Sequence, residues 1–387
     1  MTFAASTSAS TGDSPEARRY NKIRRWLSIA DFAVGAAFLV VLLVTGWTGW
    51  LRDVALRRGF QNYSLSLFIY LFFLLLIGKL LGLGLDYYGF RLEHKFQLST
   101  QKFRSWLWDE TKGFLVGLVL AAIVVELLYY MIRQSPQHWW LMTWALFLGL
   151  FIIMAQLAPV VLFPIFYKFE PLEDEDLRRR LVLLSERAGT RVRGVYRWRL
   201  SDKSKKANAA LTGLGSTRRI ILADTLLDNY APEEIEAVLA HELGHHVHRH
   251  ILKSILVQAG ITLLGFWLAN WVLHYAVDHH MFEELSDFAN LPLLALTATV
   301  LSLLLMPALN AYSRYNERQA DRYAFESIAT VEPFISSMNK LAQQNLAERT
   351  PAKWVEVLFH SHPAISKRIA AAEAWRQAQN QNLVSQV

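Results

Sequence analysis

The sequence predicts a predominantly α-helical membrane protein carrying a small α+β domain, and three observations predict it. Of 387 residues, 53% are hydrophobic and 13% aromatic, with positive mean hydropathy, too apolar for an ordinary soluble enzyme of this size. Six apolar runs are long enough to cross a hydrocarbon core, which takes about 20 helical residues. One long hydrophilic interval, 165–250, interrupts them, and its periodicity changes along its length.

Residues 1–25 open rich in Ser, Thr and Ala and close on Arg18, Arg19, Lys22, Arg24 and Arg25, which reads as a disordered cytosolic tail rather than a cleavable signal. A four-span region, 26–164, follows, with runs near 27–50, 64–84, 113–133 and 139–164; a two-span region, 251–311, carries runs near 252–277 and 289–311. Arg and Lys crowd the tail, the 85–112 connection, 165–250 and the C-terminus, while 134–138 and 278–288 have neither. The positive-inside bias then puts both termini and the hydrophilic domain on the cytoplasmic side. Arg52, Arg57 and Arg58 run against that count without overturning it. The same bias accounts for the net charge of +7 with no nucleic-acid partner. Lys79, Glu126, Gln156, Gln258 and Asn270 interrupt apolar runs, and such groups face protein interiors or water, although Lys79 could equally snorkel. Pro159, Pro164 and Pro307 are expected kink sites.

Within 165–250, the acidic start Glu173 to Asp176 followed by Leu177, Leu181 and Leu184 predicts a helix that Gly189 ends. Alternation over 192–200 and the run Arg219 to Leu222 predict two or three strands. From Pro232, with Glu233, Glu234 and Glu236 in its first turns, a helix runs into a histidine cluster.

His241-Glu242-Leu243-Gly244-His245 places two histidines four apart on one helix face, where each can give a nitrogen to one zinc ion, with Glu242 beside the metal as a general base. With no cysteine in the chain, any such centre must be built from His, Asp and Glu. His246 and His250 repeat the spacing, but Val247 stands where a base is needed; with His248 they read as surface or supporting residues, and the role of His250 stays open. A catalytic zinc needs a third protein ligand and one open position. Glu317 is the candidate, in the region 312–387 that follows the last span, and Asp321 one turn on would accept the free ring N–H of a zinc histidine, His241. Without the histidine motif the same pair would read as a charge-paired helix end.

Together these residues resemble the CAAX prenyl protease 1 type of integral-membrane zinc metalloproteases. The likeness runs from Phe90–Phe96, Asp109, Lys112 and Pro159–Phe166 through Lys206–Ala210, Gly213, Arg218–Ile220 and Asp224–Leu227 to Ser313–Asp321. HtpX-like proteases are similar at the zinc helix and the Glu317 region but less so elsewhere. The resemblance implies one zinc per chain and spans around a water-filled chamber. It implies seven spans where six are legible, so that one is short, broken or absent. It implies that Asn208, Ala209 and Ala210 form an edge strand that pairs with an extended peptide, and that His362 and Arg368 stabilise the oxyanion. Ala210 stands where the family has an aromatic residue, and Gln97 where it prefers Gly. The implied function is a zinc endopeptidase acting near the C-terminus of prenylated or membrane-associated peptides, in a bacterial inner membrane or the endoplasmic reticulum, with peptide substrate and membrane lipid as partners. The alternatives are a broad-specificity quality-control protease and a non-catalytic scaffold or transporter with a structural zinc; Glu242 argues against the last, since a structural site needs no base.

Overall fold

The computed structural model describes residues 12–213 and 217–384. Helix α1 (Pro15–Val44) is capped by the Ser14 hydroxyl, which accepts the Ala17 N–H. It therefore begins inside the stretch expected to be a disordered tail: residues 15–25 are helical, because the cap and Pro15 at the first turn start the helix early. Residues 1–11 of that tail lie outside the described residues. After α2 (Trp47–Arg58) come α3 (Tyr63–Lys95), α4 (Phe103–Gln134) and α5 (Trp139–Leu157), which continues through a π turn, Ala158–Leu162, into α6 (Phe163–Phe166). The π turn contains Pro159, whose missing N–H disrupts the regular ladder.

Beyond a mixed segment, α10 (His250–Asp278) and α11 (Leu291–Ser327) complete six helices that are, among the described residues, long and apolar enough to cross a membrane, with α5 and α6 counted as one. Their packing forms a closed cycle: α1 on α3, α3 on α4, α4 on α5, α5 on α10, α10 on α11 and α11 on α1. Six rods about 10 Å apart in such a cycle leave a central space about one helix wide. At most 28% of any span's apolar window is buried within the chain. Helix α11 runs unbroken past Pro307, so the last span and the segment bearing Glu317 are one rod.

At one end of the ring, α2 packs with α3 and the loop before α11 around Trp139, Tyr70 and Phe288. Arg52, which ran against the charge count, is paired there: Nη1 lies 2.5 Å from Asp287 Oδ2, and Nη2 lies 3.6 Å from Glu283. Inside the spans, Lys79 donates to Asp86 at 2.7 Å and Glu110 at 2.5 Å, so it is ion-paired rather than snorkelling. Glu126 accepts from Ser64 at 2.7 Å and lies 3.2 Å from Arg133.

At the other end sits the mixed domain. Strands β1 (Phe169–Pro171), β2 (Val195–Trp198), β3 (Ala209–Thr212) and β4 (Arg219–Ala223) form a sheet ordered β1-β2-β4-β3. Strand β2 pairs parallel with β4; the other pairs are antiparallel, and β3 is an edge. One strand more than expected is present: β1 is only three residues long, too short for an alternating pattern to reveal it. Helix α7 (Glu175–Arg187) has Asp174 as its cap and ends before Gly189 at φ +69°. Helices α8 (Asp224–Leu227) and α9 (Pro232–Val247) follow, then α12 (Glu332–Gln344), α13 (Lys353–Phe359) and α14 (Ile365–Val384) from the C-terminal region. A single apolar core takes Leu181, Ile220, Leu222 and Leu243 together with Ala324, Phe334 and Ala372. The hydrophilic interval and the C-terminal region are therefore one folded body. Three ion pairs among the described residues fasten it to the ring: Lys203 to Asp109 at 2.6 Å, Lys206 to Glu93 at 2.8 Å and Glu348 to Arg25 of α1 at 2.6 Å.

Candidate metal centre

Helix α9 starts at Pro232, and Glu234 reaches back to accept the Ala231 N–H at 2.8 Å. It lies against α11 backbone to backbone. A Cβ placed on Gly244 would come within 2.8 Å of Ala320 Cα and 2.9 Å of its carbonyl oxygen, so only glycine permits this approach. The contact aligns His241 and His245 with Glu317, one turn before Ala320.

The donor atoms converge. His241 Nε2 lies 3.3 Å from Glu317 Oε2, His245 Nε2 lies 3.3 Å from Glu317 Oε1, and the two imidazole nitrogens are 3.4 Å apart. A tetrahedral ion with bonds of about 2.0–2.1 Å separates neighbouring ligand atoms by about 3.3–3.4 Å, which the two imidazole nitrogens match and each of them matches toward one oxygen of the carboxylate. Together they form a group able to hold one. Glu317 is buried, and its Oε2 accepts no aligned hydrogen bond, although His362 Nδ1 stands 2.7 Å away. Buried carboxylate oxygens seldom go unsatisfied, and a cation would satisfy this one.

Each imidazole has its own support. His241 Nδ1 lies 2.8 Å from Asp321 Oδ1, and Arg368 grips the same carboxylate through Nε at 2.9 Å and Nη2 at 2.5 Å. Burial and the Arg368 charge pull the His241 pKa down, but Asp321 and Glu317 outweigh them and raise it to about 9. Without a metal, His241 therefore holds a proton at neutral pH. Burial also works against the Arg368 charge, and Asp321 more than restores it. On the other side, His245 Nδ1 lies 3.0 Å from His250 Nδ1, and His250 Nε2 lies 2.9 Å from Gln319 Oε1.

A cavity of about 550 Å³ opens in front of these groups. Glu242 lines it, half-buried and with no hydrogen-bond or ion-pair partner among the described residues. His362 lines it too, as do Leu211 and Gly213 from β3 and the loop after it, and Gln258 from α10. Asn208, Ala209 and Ala210 sit on or beside the edge strand, with Asn208 O accepting the Ala223 N–H at 3.0 Å. The cavity-lining part of this strand is thus its far end, beyond the three expected residues.

The Arg368 expectation needs correcting. The guanidinium faces Asp321 behind His241, and Arg368 is not among the residues lining the metal-side cavity. Two of its donors are spent on one carboxylate, the one that faces His241 Nδ1. Sequence reasoning missed Gly244 as the helix contact and left His250 unassigned. The i, i+4 argument for His246 and His250 fails because α9 ends at Val247 and Arg249 turns the chain at φ 55°, so that His250 begins a new helix. His246 instead meets Arg218 at 3.4 Å on the cavity wall.

Residues 171–376 match the model of peptidase family M48. The chain belongs to that family. Residues 6–168 match the CAAX prenyl protease N-terminal model, described as five membrane helices. Among the described residues of that stretch this M48 protein has four helices long enough to cross and α2, whose 12 residues span about 18 Å of a roughly 30 Å core. Among curated relatives, the uncharacterized metalloprotease YhfN of Bacillus subtilis is 30% identical, the match covering 92% of this chain and 84% of the relative. CAAX prenyl protease 1 of Saccharomyces cerevisiae is 27% identical, covering 77% and 70%. The crystal structure of S. mikatae Ste24p superposes with a TM-score of 0.83 at 24% identity, over 92% of this chain and 88% of that one. The protein is a multi-pass membrane metalloprotease whose substrates are peptides or proteins.

Proposed function

We propose that this M48 protease is a zinc endopeptidase that cuts near the C-terminus of prenylated or membrane-associated peptides, with its metal domain on the cytoplasmic side. His241, His245 and Glu317 hold one zinc ion and leave a fourth position open to the cavity. The observation that carries the metal assignment is the convergence of one ligand atom from each of these three residues within 4.8 Å of one another, with the two imidazole Nε2 atoms 3.4 Å apart and each 3.3 Å from one oxygen of the Glu317 carboxylate. When bound, zinc supplies an acidified water and a positive charge facing the substrate carbonyl.

The protein groups do the rest. Glu242, uncommitted and beside the site, takes the proton from the attacking water and later delivers it to the leaving amine. His362, at the cavity wall, donates to the developing oxyanion, a contribution of roughly 3 kcal/mol by analogy with single oxyanion donors. The free edge of β3 accepts an extended peptide by strand addition, its carbonyl directed toward the cavity that Leu211 and Gly213 line. The prenyl preference is supported by relatives named CAAX prenyl protease 1 in budding and fission yeast and by an intramembrane ring with space for an apolar chain. Cleavage of a farnesylated C-terminal peptide is expected to exceed that of the same peptide unmodified; equal rates, or faster degradation of an unfolded membrane segment, would move the assignment to quality control.

A further inference from the structure

Behind the metal centre lies a second cavity, of about 650 Å³, that the peptidase mechanism does not use. Its floor is the Asp321–Arg368 pair, and its walls come from α11, α13 and α14. Five cations line it, Arg314, Arg318, Arg322, Lys367 and Arg368, against two carboxylates, Asp321 and Glu356. Three of them are internally satisfied: the buried Arg314, the mostly buried Arg368 and the exposed Lys367. Arg314 caps α13 by donating to the carbonyls of Glu356 and His360, Lys367 pairs with Glu356 at 2.6 Å, and Arg368 holds Asp321. The other two are exposed: Arg318 has no ion-pair partner among the described residues, and Arg322 lies over the Trp375 ring and pairs with Glu326 at 3.0 Å, itself on the solvent face. The cavity therefore carries uncompensated positive charge at its mouth.

Its level relative to the bilayer is set by α11. Arg314, Arg318 and Arg322 recur every four residues on that helix, just past the apolar run that ends near 311. With 1.5 Å of rise per residue, Arg314 stands about 5 Å, Arg318 about 10 Å and Arg322 about 16 Å beyond that point, the last within about a Debye length of the headgroup layer and not inside it. The headgroup layer is roughly 5–8 Å deep on each side, and arginine side chains reach several ångströms further. The surroundings are interfacial in character: the exposed Val357 lines the cavity, and Trp354 on α13 and Tyr315 on α11 are exposed on the helices that wall it. Trp375 and three alanines of α14 make the rest of the wall apolar.

We propose that this cavity binds the phosphate headgroup of an anionic membrane lipid from the leaflet on the metal-domain side. Charge selects the phosphate, and the apolar wall with Val357 at the rim accommodates the glycerol and the start of the acyl chains. Arg318 and Arg322 supply the attraction, at about 1 kcal/mol for each basic residue near an anionic surface. Because the floor is the pair that orients His241, the lipid sits against the back of the metal centre.

The test is native mass spectrometry of the full chain in neutral detergent, titrated separately with phosphatidylglycerol and phosphatidylcholine. One phosphatidylglycerol per chain is expected to be retained in preference to phosphatidylcholine. The double variant Arg318→Gln/Arg322→Gln is expected to bind it about thirtyfold more weakly. The control Arg178→Gln/Arg179→Gln, an exposed pair elsewhere on the domain, is expected to bind as wild type. Equal retention of the two lipids, an unchanged affinity in the double variant, or an equal loss in the control would overturn the proposal. Displacement of the lipid by inorganic phosphate at equal concentration would also overturn it, because the site would then recognise a free anion.

Discussion

The two sides of the metal centre are built from the same ligand type and supported in opposite ways. Behind His241 stands an anion, Asp321, clamped by Arg368; behind His245 stands a neutral pair, His250 and Gln319. A carboxylate behind an imidazole fixes its tautomer and raises its basicity, whereas a neutral acceptor fixes orientation alone. The burial of the two sides matches that division. Both imidazoles line the cavity, but His241 is buried and can keep a charged partner away from water, while His245 is only half-buried. The His241 side should therefore govern how tightly the metal is held, and the His245 side how it is aimed.

The largest expected effect touches neither support. Glu242→Gln should lower peptide cleavage by about a thousandfold, within the usual range for a lost general base, while metal content measured by atomic emission stays at wild-type level. A loss of metal in that variant would make Glu242 part of the metal's hold and remove the proposed division of roles. Gly244→Ala disturbs both sides together, since its methyl meets Ala320 at 2.8 Å. Destabilisation of about 1–3 kcal/mol, typical of overpacking, should appear in thermal unfolding with lowered metal content.

The next two substitutions separate the sides. Asp321→Asn should weaken metal affinity toward the hundredfold end of the range for such supports, and His250→Ala toward the tenfold end; competition with a chelator measures both. Equal losses would mean that the charge behind His241 adds nothing. The smallest effect is in proton count. His241 is raised from 6.5 to about 9 in the metal-free chain, so below pH 9 it carries a proton that metal binding must displace. At pH 7.5 calorimetry in buffers of different ionisation enthalpy should show about one proton released from this group. Above the raised pKa the release should vanish, and in Asp321→Asn it should already be reduced at pH 7.5.

Much of this was legible in the sequence because it depends on local spacing. The six apolar runs reappear as six long helices, and the histidine pair and Glu317 lie within ligand distance of one point. The start of α1 was not legible, because the basic cluster from Arg18 to Arg25 reads as tail composition, although Ser14 and Pro15 cap a helix there. Arg368 was misplaced because a motif match names a residue without saying which way its side chain faces; only Asp321 beside it decides that. His250 was unreadable because a single left-handed residue, Arg249, breaks the helical count on which the spacing argument relied.

Taken alone, the sequence determined the membrane class, the number of long helices and the chemical kinds of ligand, since each follows from hydropathy length or from residues a fixed number of turns apart. Tertiary structure decided which two distant helices meet, how each imidazole is backed, and that the hydrophilic interval and the C-terminal region share one core. Those outcomes depend on contacts between residues far apart in the chain, such as Gly244 with Ala320, and no periodicity within either segment encodes the partner it will find.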